Sequence, residues 1–177
     1  LPPALLVGAE ALVVPYAGEQ GGSAAPTGLL LAAFPAGVAV GDLVVGRLLS
    51  PVAQTRVMPW LFGLVGLALL PFALEPGLVV SGLCFAAASA GMAYQLGSQQ
   101  AFVAAVSEDR RGLAFGLVGT GMMGGQGIGP LVAGGLAEVV GSAATIAVLG
   151  VATLLAAARF GRLPAGAAAP GPIGSRA

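Results

Sequence analysis

Histidine, lysine and asparagine do not occur among the 177 residues. Without His there is no His-ligated metal site, no His general base, and no Ser-His or Cys-His nucleophile pair. Without Lys there is no Schiff-base nucleophile and no phosphate-loop lysine. Without Asn there is no N-glycosylation acceptor. A lone cysteine, Cys84, cannot close an internal disulfide and is expected to be a small packing residue in its apolar run. Charge is scarce as well: 8 % of residues are charged, against about 25 % in soluble domains. Seven basic and seven acidic residues cancel, and no basic run is present. Nucleic acid is therefore not an expected partner. No metal or cofactor motif is found, and none of either is expected.

What the chain has in excess is apolar sequence. It is 57 % hydrophobic, with a mean hydropathy of +0.97. Such a composition cannot clothe a water-facing surface and belongs in a lipid bilayer. Six apolar segments stand out, at about 1–17, 26–49, 57–74, 78–104, 112–137 and 142–160. Each is close to the 17 to 25 residues, or slightly more, that a helix needs to cross ~30 Å of hydrocarbon. An all-α membrane domain over residues 1–162 is expected, followed by a disordered tail over 163–177, "PAGAAAPGPIGSRA" preceded by Leu163. The connectors "AGEQGGSA", "SPVAQTR", "EPG", "VSEDRRG" and "EVVGS" are short and turn-rich.

The arginines sort by connector. Arg47 and Arg56 flank the second turn, Arg110 and Arg111 sit in the fourth, and Arg159, Arg162 and Arg176 follow the last span. The other turns carry Glu19, Glu75 and Glu138 instead. This is the positive-inside bias, and it predicts that both termini are cytoplasmic. Trp60 and Tyr16 fall near span ends and are expected as interfacial anchors. The codon-level bias toward Ala, Gly, Pro and Arg suits a GC-rich bacterial genome, hence a bacterial inner (plasma) membrane. Neither an initiator Met nor a charged region precedes the first apolar run, so a signal peptide is not expected and the chain reads as a piece of something longer.

The stretch "GLVGTGMMGGQGIGPLVAGG", residues 116–135, is dense in glycine and uncharged. It contains Gly119-x-Gly121-x-x-Gly124, the spacing of a dinucleotide-binding fingerprint. That fingerprint must follow a strand and open a helix. Here it lies inside an apolar span with no strand nearby, so nucleotide binding is rejected. In water each glycine costs a helix about 1 kcal/mol relative to Ala. In lipid an unsatisfied backbone group costs several kcal/mol, and the helix wins. Gly112/Gly116, Gly121/Gly125 and Gly125/Gly129 share small-xxx-small spacing, which permits close backbone approach. Pro130 is expected to bend this helix. Gly37-x-x-x-Gly41 and the run 119–129 are expected to form exposed small-residue faces on one side of the bundle.

Residues 125–135, "GQGIGPLVAGG", resemble the antiporter motif Gly-x-x-x-Gly-Pro-x-x-Gly-Gly of the major facilitator superfamily of secondary transporters. Gly125, Gly129, Pro130 and Gly134 match, and Ala133 stands where Gly is usual. "GDLVVGRLL" (41–49) resembles a degenerate form of the family's loop after its second or eighth helix, through Asp42, Gly46 and Arg47. "VSEDRRGLAFGL" (106–117), with Arg110 and Arg111, is similar to the loop entering helix eleven. The resemblance implies the C-terminal six helices of twelve: a half built as a 3+3 inverted repeat. It implies alternating-access transport of a small solute, proton-coupled, with efflux favoured over uptake. The partners it implies are the bilayer, the solute, and either a preceding six-helix half or a second copy of this chain. A half-size homodimeric transporter and a non-transporting scaffold are the rival readings; an enzyme is not expected.

Glu10 lies mid-span, where a carboxylate costs at least ~2.5–3.5 kcal/mol unless it is protonated, paired or hydrated. Under the resemblance its helix lines a central cavity, and Glu10 is a candidate proton site; the alternative is a hydrated or cation-paired carboxylate. Asp42 is expected to pair with Arg47, Arg110 or Arg111. The fourth span carries a stripe at helical spacing: Cys84, Ala87, Ala88, Gly91, Tyr94, Gln95 and Ser98, with Gln99 beside it. Its polar half, Tyr94, Gln95, Ser98 and Gln99, either binds solute or bonds neighbouring helices.

Overall fold

The computed structural model describes residues 2–160, and within them every regular element is helical. The expected tail over 163–177 lies outside the described residues, as do Arg162 and Arg176.

The first apolar segment is two helices, α1 (Pro2–Ala11) and α2 (Val13–Glu19), broken at Leu12. Pro15 explains the break. It has no N–H to offer the Ala11 carbonyl, and its ring crowds that carbonyl. Leu12 instead bonds back to Ala9, a tighter turn. α3 (Ala24–Leu48) follows, then α4 (Pro51–Leu69) with a 3-10 extension over Leu70–Leu74.

α4 starts six residues before the expected 57. Ser50 caps it, its Oγ accepting from the Ala53 N–H at 3.4 Å, and Pro51 occupies the first turn. Arg56 and Gln54 made this stretch look like a loop by polarity, while its Ser-Pro start is a helix signal. The segment 78–104 is likewise interrupted: α5 (Leu78–Ala90), a 3-10 turn at Gly91–Ala93, and α6 (Tyr94–Ala105). After a short 3-10 turn over Glu108–Arg110 comes α7 (Arg111–Val140), unbroken through Pro130. Gly141 alone, with φ of 85°, turns the chain into α8 (Ser142–Phe160). A connector of five residues was expected there.

Among the described residues, four helical stretches are long and apolar enough to cross a membrane: Ala24–Leu48, Pro51–Leu74, Leu78–Ala105 and Ser142–Arg159. The broken α1–α2 and the glycine-diluted α7 are not among them. Glycine has no side chain to add hydropathy, so α7, though 30 residues long, falls short of the other spans in apolarity.

The most extensive packing is α3 on α5, α1 on α7, and α4 on α8 and α6. Small residues make these contacts. Gly37 and Gly41 are buried against Ala86 and Ala90, where an added Cβ would strike the two alanine carbonyls. Their expected exposed face is thus an internal seam. Gly129 lies against the Ala4 carbonyl, and Gly8 faces Gly129 and Ala133. Gly66 and Gly150 bring α4 and α8 together. At one end of the bundle, rings of Tyr16, Phe72 and Phe85 meet edge-on at centroid distances of 5.2 and 5.0 Å. Tyr16 is fully buried; its hydroxyl donates to the Pro76 carbonyl and sits 3.0 Å from Ser81 Oγ. It is a core residue, not the interfacial anchor its position suggested. Trp60, 81 % exposed, remains free to meet lipid headgroups.

Candidate functional site

α6 begins directly after the 3-10 turn and presents Tyr94, Gln95, Ser98 and Gln99 within six residues. All four line one groove of about 360 Å³, closed on the other side by Phe115, Val118, Gly119 and Met122 of α7. The polar half of the sequence stripe is therefore brought to a single surface. Gly119, in the sequence only one glycine among many, forms part of its wall. Ser98 Oγ donates to the Gln95 carbonyl at 2.9 Å, and Gln95 reaches only the Met92 sulfur, at 3.9 Å. Neither the Gln99 amide nor the Tyr94 hydroxyl has a hydrogen-bond partner among the described residues. The Tyr94 ring is held by Phe62, with centroids 5.3 Å apart. The groove thus offers unclaimed donors and acceptors on an apolar floor, as small-molecule sites do.

Glu10 is half-buried and sits two residues before the break at Leu12. It makes no ion pair or hydrogen bond among the described residues, and it does not line the α6–α7 groove. Asp42 is exposed and pairs with none of Arg47, Arg110 and Arg111. The expected Asp42 pairing does not form, and the two loop arginines make other contacts. Arg110 lies 3.8 Å from its neighbour Asp109. Arg111 folds back on α6, donating to the carbonyls of Val106 at 3.3 Å and Val103 at 3.4 Å. These are orphan carbonyls at a helix C-terminus, where a cation fits best.

The motif residues on α7 separate. Gly125 and Gly129 meet Ala4 of α1, while Gly134 has nothing within 4 Å. Two polar contacts escaped the sequence reading. Buried Gln54 donates to the carbonyls of Val45 (3.3 Å) and Leu49 (3.1 Å) and accepts from Gln100 at 2.7 Å. Glu19 accepts from the Ser142 hydroxyl at 2.7 Å and from its N–H at 3.4 Å, capping α8 from another helix. No local pattern announces either, since the partners lie 46 and 123 residues apart.

Long apolar helices whose buried polar side chains are all hydrogen-bonded among the described residues are the construction of a multi-pass membrane protein. The lipid bilayer is its solvent. The family follows from the sequence itself: the profile of the Major Facilitator Superfamily matches residues 7–175. The chain belongs to that family, whose members are membrane transporters of small solutes and not enzymes. No curated protein and no solved structure is significantly similar to it.

Proposed function

We propose that this chain is one six-span unit of a proton-coupled secondary transporter that works by alternating access, in the direction of efflux. Its spans are α1–α2, α3, α4 with its 3-10 extension, α5–α6, α7 and α8, with both termini cytoplasmic in a bacterial inner membrane. The packing supports a 3+3 inverted repeat. Exchanging the first three spans with the last three turns the α1–α7 contact into α3–α5 and returns α4–α8 to itself. It also turns the Glu19–Ser142 bond into Gln100–Gln54.

The observation that carries the function is the paired interruption. The first span of each triplet is broken, at Leu12 and at Gly91–Ala93, and each break adjoins polar side chains: Glu10 in one, Tyr94 and Gln95 in the other. Discontinuous helices with polar groups at the break are where secondary transporters hold solute and coupling ion. Tyr94, Gln95, Ser98 and Gln99 then contact solute, and Glu10 carries the proton. A free carboxyl at mid-depth without a partner is a costly feature that a scaffold has no use for. Gly125, Gly129, Pro130 and Gly134 shape α7, and Arg47, Arg110, Arg111 and Asp42 face the cytoplasm. A second six-helix unit, a preceding half or another copy, covers the open face of α7.

The test is proton-driven accumulation by the full-length protein in liposomes under an imposed pH gradient, with solutes screened for uptake. Glu10→Gln should abolish accumulation while solute exchange continues, because the amide keeps the shape and cannot titrate. Undiminished accumulation by Glu10→Gln rejects the proton role.

A further inference from the structure

The α6–α7 groove does not end at Gln99. A second groove of about 470 Å³ continues along the same two helices, lined by Gln99, Gln100, Val103, Arg111 and Phe115 together with Leu96 and Ala104. Gln99 and Phe115 belong to both, so the two grooves adjoin as a crevice whose lining residues run from Tyr94 to Arg111. At the junction the rings of Phe102 and Phe115 stand edge-on, 4.9 Å apart.

The charge along this crevice is one-sided. Arg111 is the one Arg, Asp or Glu among its lining residues. The acids of the neighbouring turn, Glu108 and Asp109, do not line it, and Asp109 faces Arg110 instead. Arg111 is not spent by its own bonds. It gives Nε and one Nη to two carbonyls at long distances, and a guanidinium has five N–H donors. Those bonds also fix the side chain at the mouth of the crevice, so less side-chain freedom remains to be lost when an anion arrives. The remainder is apolar and aromatic surface interrupted by amides and two hydroxyls, which is neutral toward charge.

We infer that the crevice selects an amphipathic organic anion: a carboxylate, sulfonate or phosphate group on Arg111, with an aromatic or aliphatic body lying against Phe102, Phe115, Val118 and Met122. This rests on the proposal that the α6–α7 groove is the solute path. A cation is disfavoured because no carboxylate in the lining offsets Arg111, and a wholly polar solute leaves the apolar walls unfilled. Arg111 thereby acquires a role in specificity that Arg47, Arg56 and Arg110 do not share, since none of these lines the crevice.

Three radiolabelled probes of one shape test this on the full-length protein in detergent by equilibrium dialysis: 1-naphthalenesulfonate, 1-naphthalenemethanol and 1-naphthylmethylammonium. Saturable binding should favour the sulfonate over the ammonium by tenfold or more. Arg111→Gln should weaken the sulfonate at least tenfold and leave the alcohol within twofold. Arg110→Gln, one residue away, should change neither. Arg111→Lys keeps the charge and should retain most of the sulfonate affinity, which separates a charge effect from a loosened connector. Saturable binding without charge preference, or equal losses in the Arg110 and Arg111 variants, overturns the anion assignment and leaves the groove as solute path. Absence of saturable binding by every probe overturns both.

Discussion

In the proposed 3+3 arrangement α3–α5 and α1–α7 are equivalent contacts, and they are finished to different degrees. On α3, Gly37 and Gly41 both disappear against α5, and each takes one alanine carbonyl. On α7 only the middle of the glycine run is used. Gly125 and Gly129 meet Ala4, while Gly112, Gly116, Gly119, Gly121, Gly124 and Gly127 have nothing within 4 Å. Leu113, Leu117 and Met123 on the same stretch stand exposed. The same device, glycine at close backbone approach, thus serves one seam inside the chain and leaves a longer surface without an internal partner. A helix stripped of side chains gains nothing from lipid, which packs on leucine as well as on glycine. Under the proposed function the uncovered glycines are clearance for something that moves past or into the α6–α7 groove.

The contrast is broken most forcefully at Gly41. Leu there has no space, because its Cβ already meets the Ala90 backbone and the site is buried. Gly41→Leu should cost about 3 kcal/mol, the upper range of overpacking, and lower the thermal midpoint or the yield of folded protein. Unchanged melting in detergent would show that the α3–α5 seam is not close-packed. Gly129→Leu should cost nearly as much, about 2–3 kcal/mol, since its Cβ likewise meets backbone, the Ala4 carbonyl, although the rest of the side chain leaves a half-buried position. A loss under about 0.5 kcal/mol there would show that α1 and α7 are not in close backbone contact at Gly129. The smallest effect on folding belongs to Gly124→Leu, expected within about 0.5 kcal/mol of wild type because nothing lies nearby. Transport by the full-length protein should nonetheless fall in that variant. Full activity there removes the reason for the bare face.

Much of this architecture was legible beforehand because bilayer thickness and small-residue spacing act on local sequence. The ends of α3, α7 and α8 lie within about three residues of the apolar runs, well inside ordinary boundary scatter. The polar stripe of α6 lines a shared surface, since Ser98 lies one helical turn from both Tyr94 and Gln95. What polarity hid was the start of α4, where Ser50 and Pro51 outweigh the charge of Arg56. What spacing hid was the destination of each glycine pair. Gly37/Gly41 and Gly112/Gly116 look identical along the chain, and only tertiary contact separates the buried pair from the open one. Tyr16 was misjudged for a related reason: a tyrosine at a span end suits an interface equally well whether it faces lipid or a partner such as Ser81.

The central claim is that the crevice between α6 and α7 carries water and solute, whereas the outer face of α8 meets lipid. Single cysteines introduced into the full-length Cys84→Ala protein, and exposed to a membrane-impermeant maleimide in everted vesicles, test it directly. Ser98→Cys and Gly119→Cys should react rapidly and be protected by transported solute, while Val148→Cys and Leu155→Cys, on exposed positions of α8, should react slowly and without protection. Equal, slow labelling at all four positions would contradict the claim and make the α6–α7 crevice a lipid-facing seam.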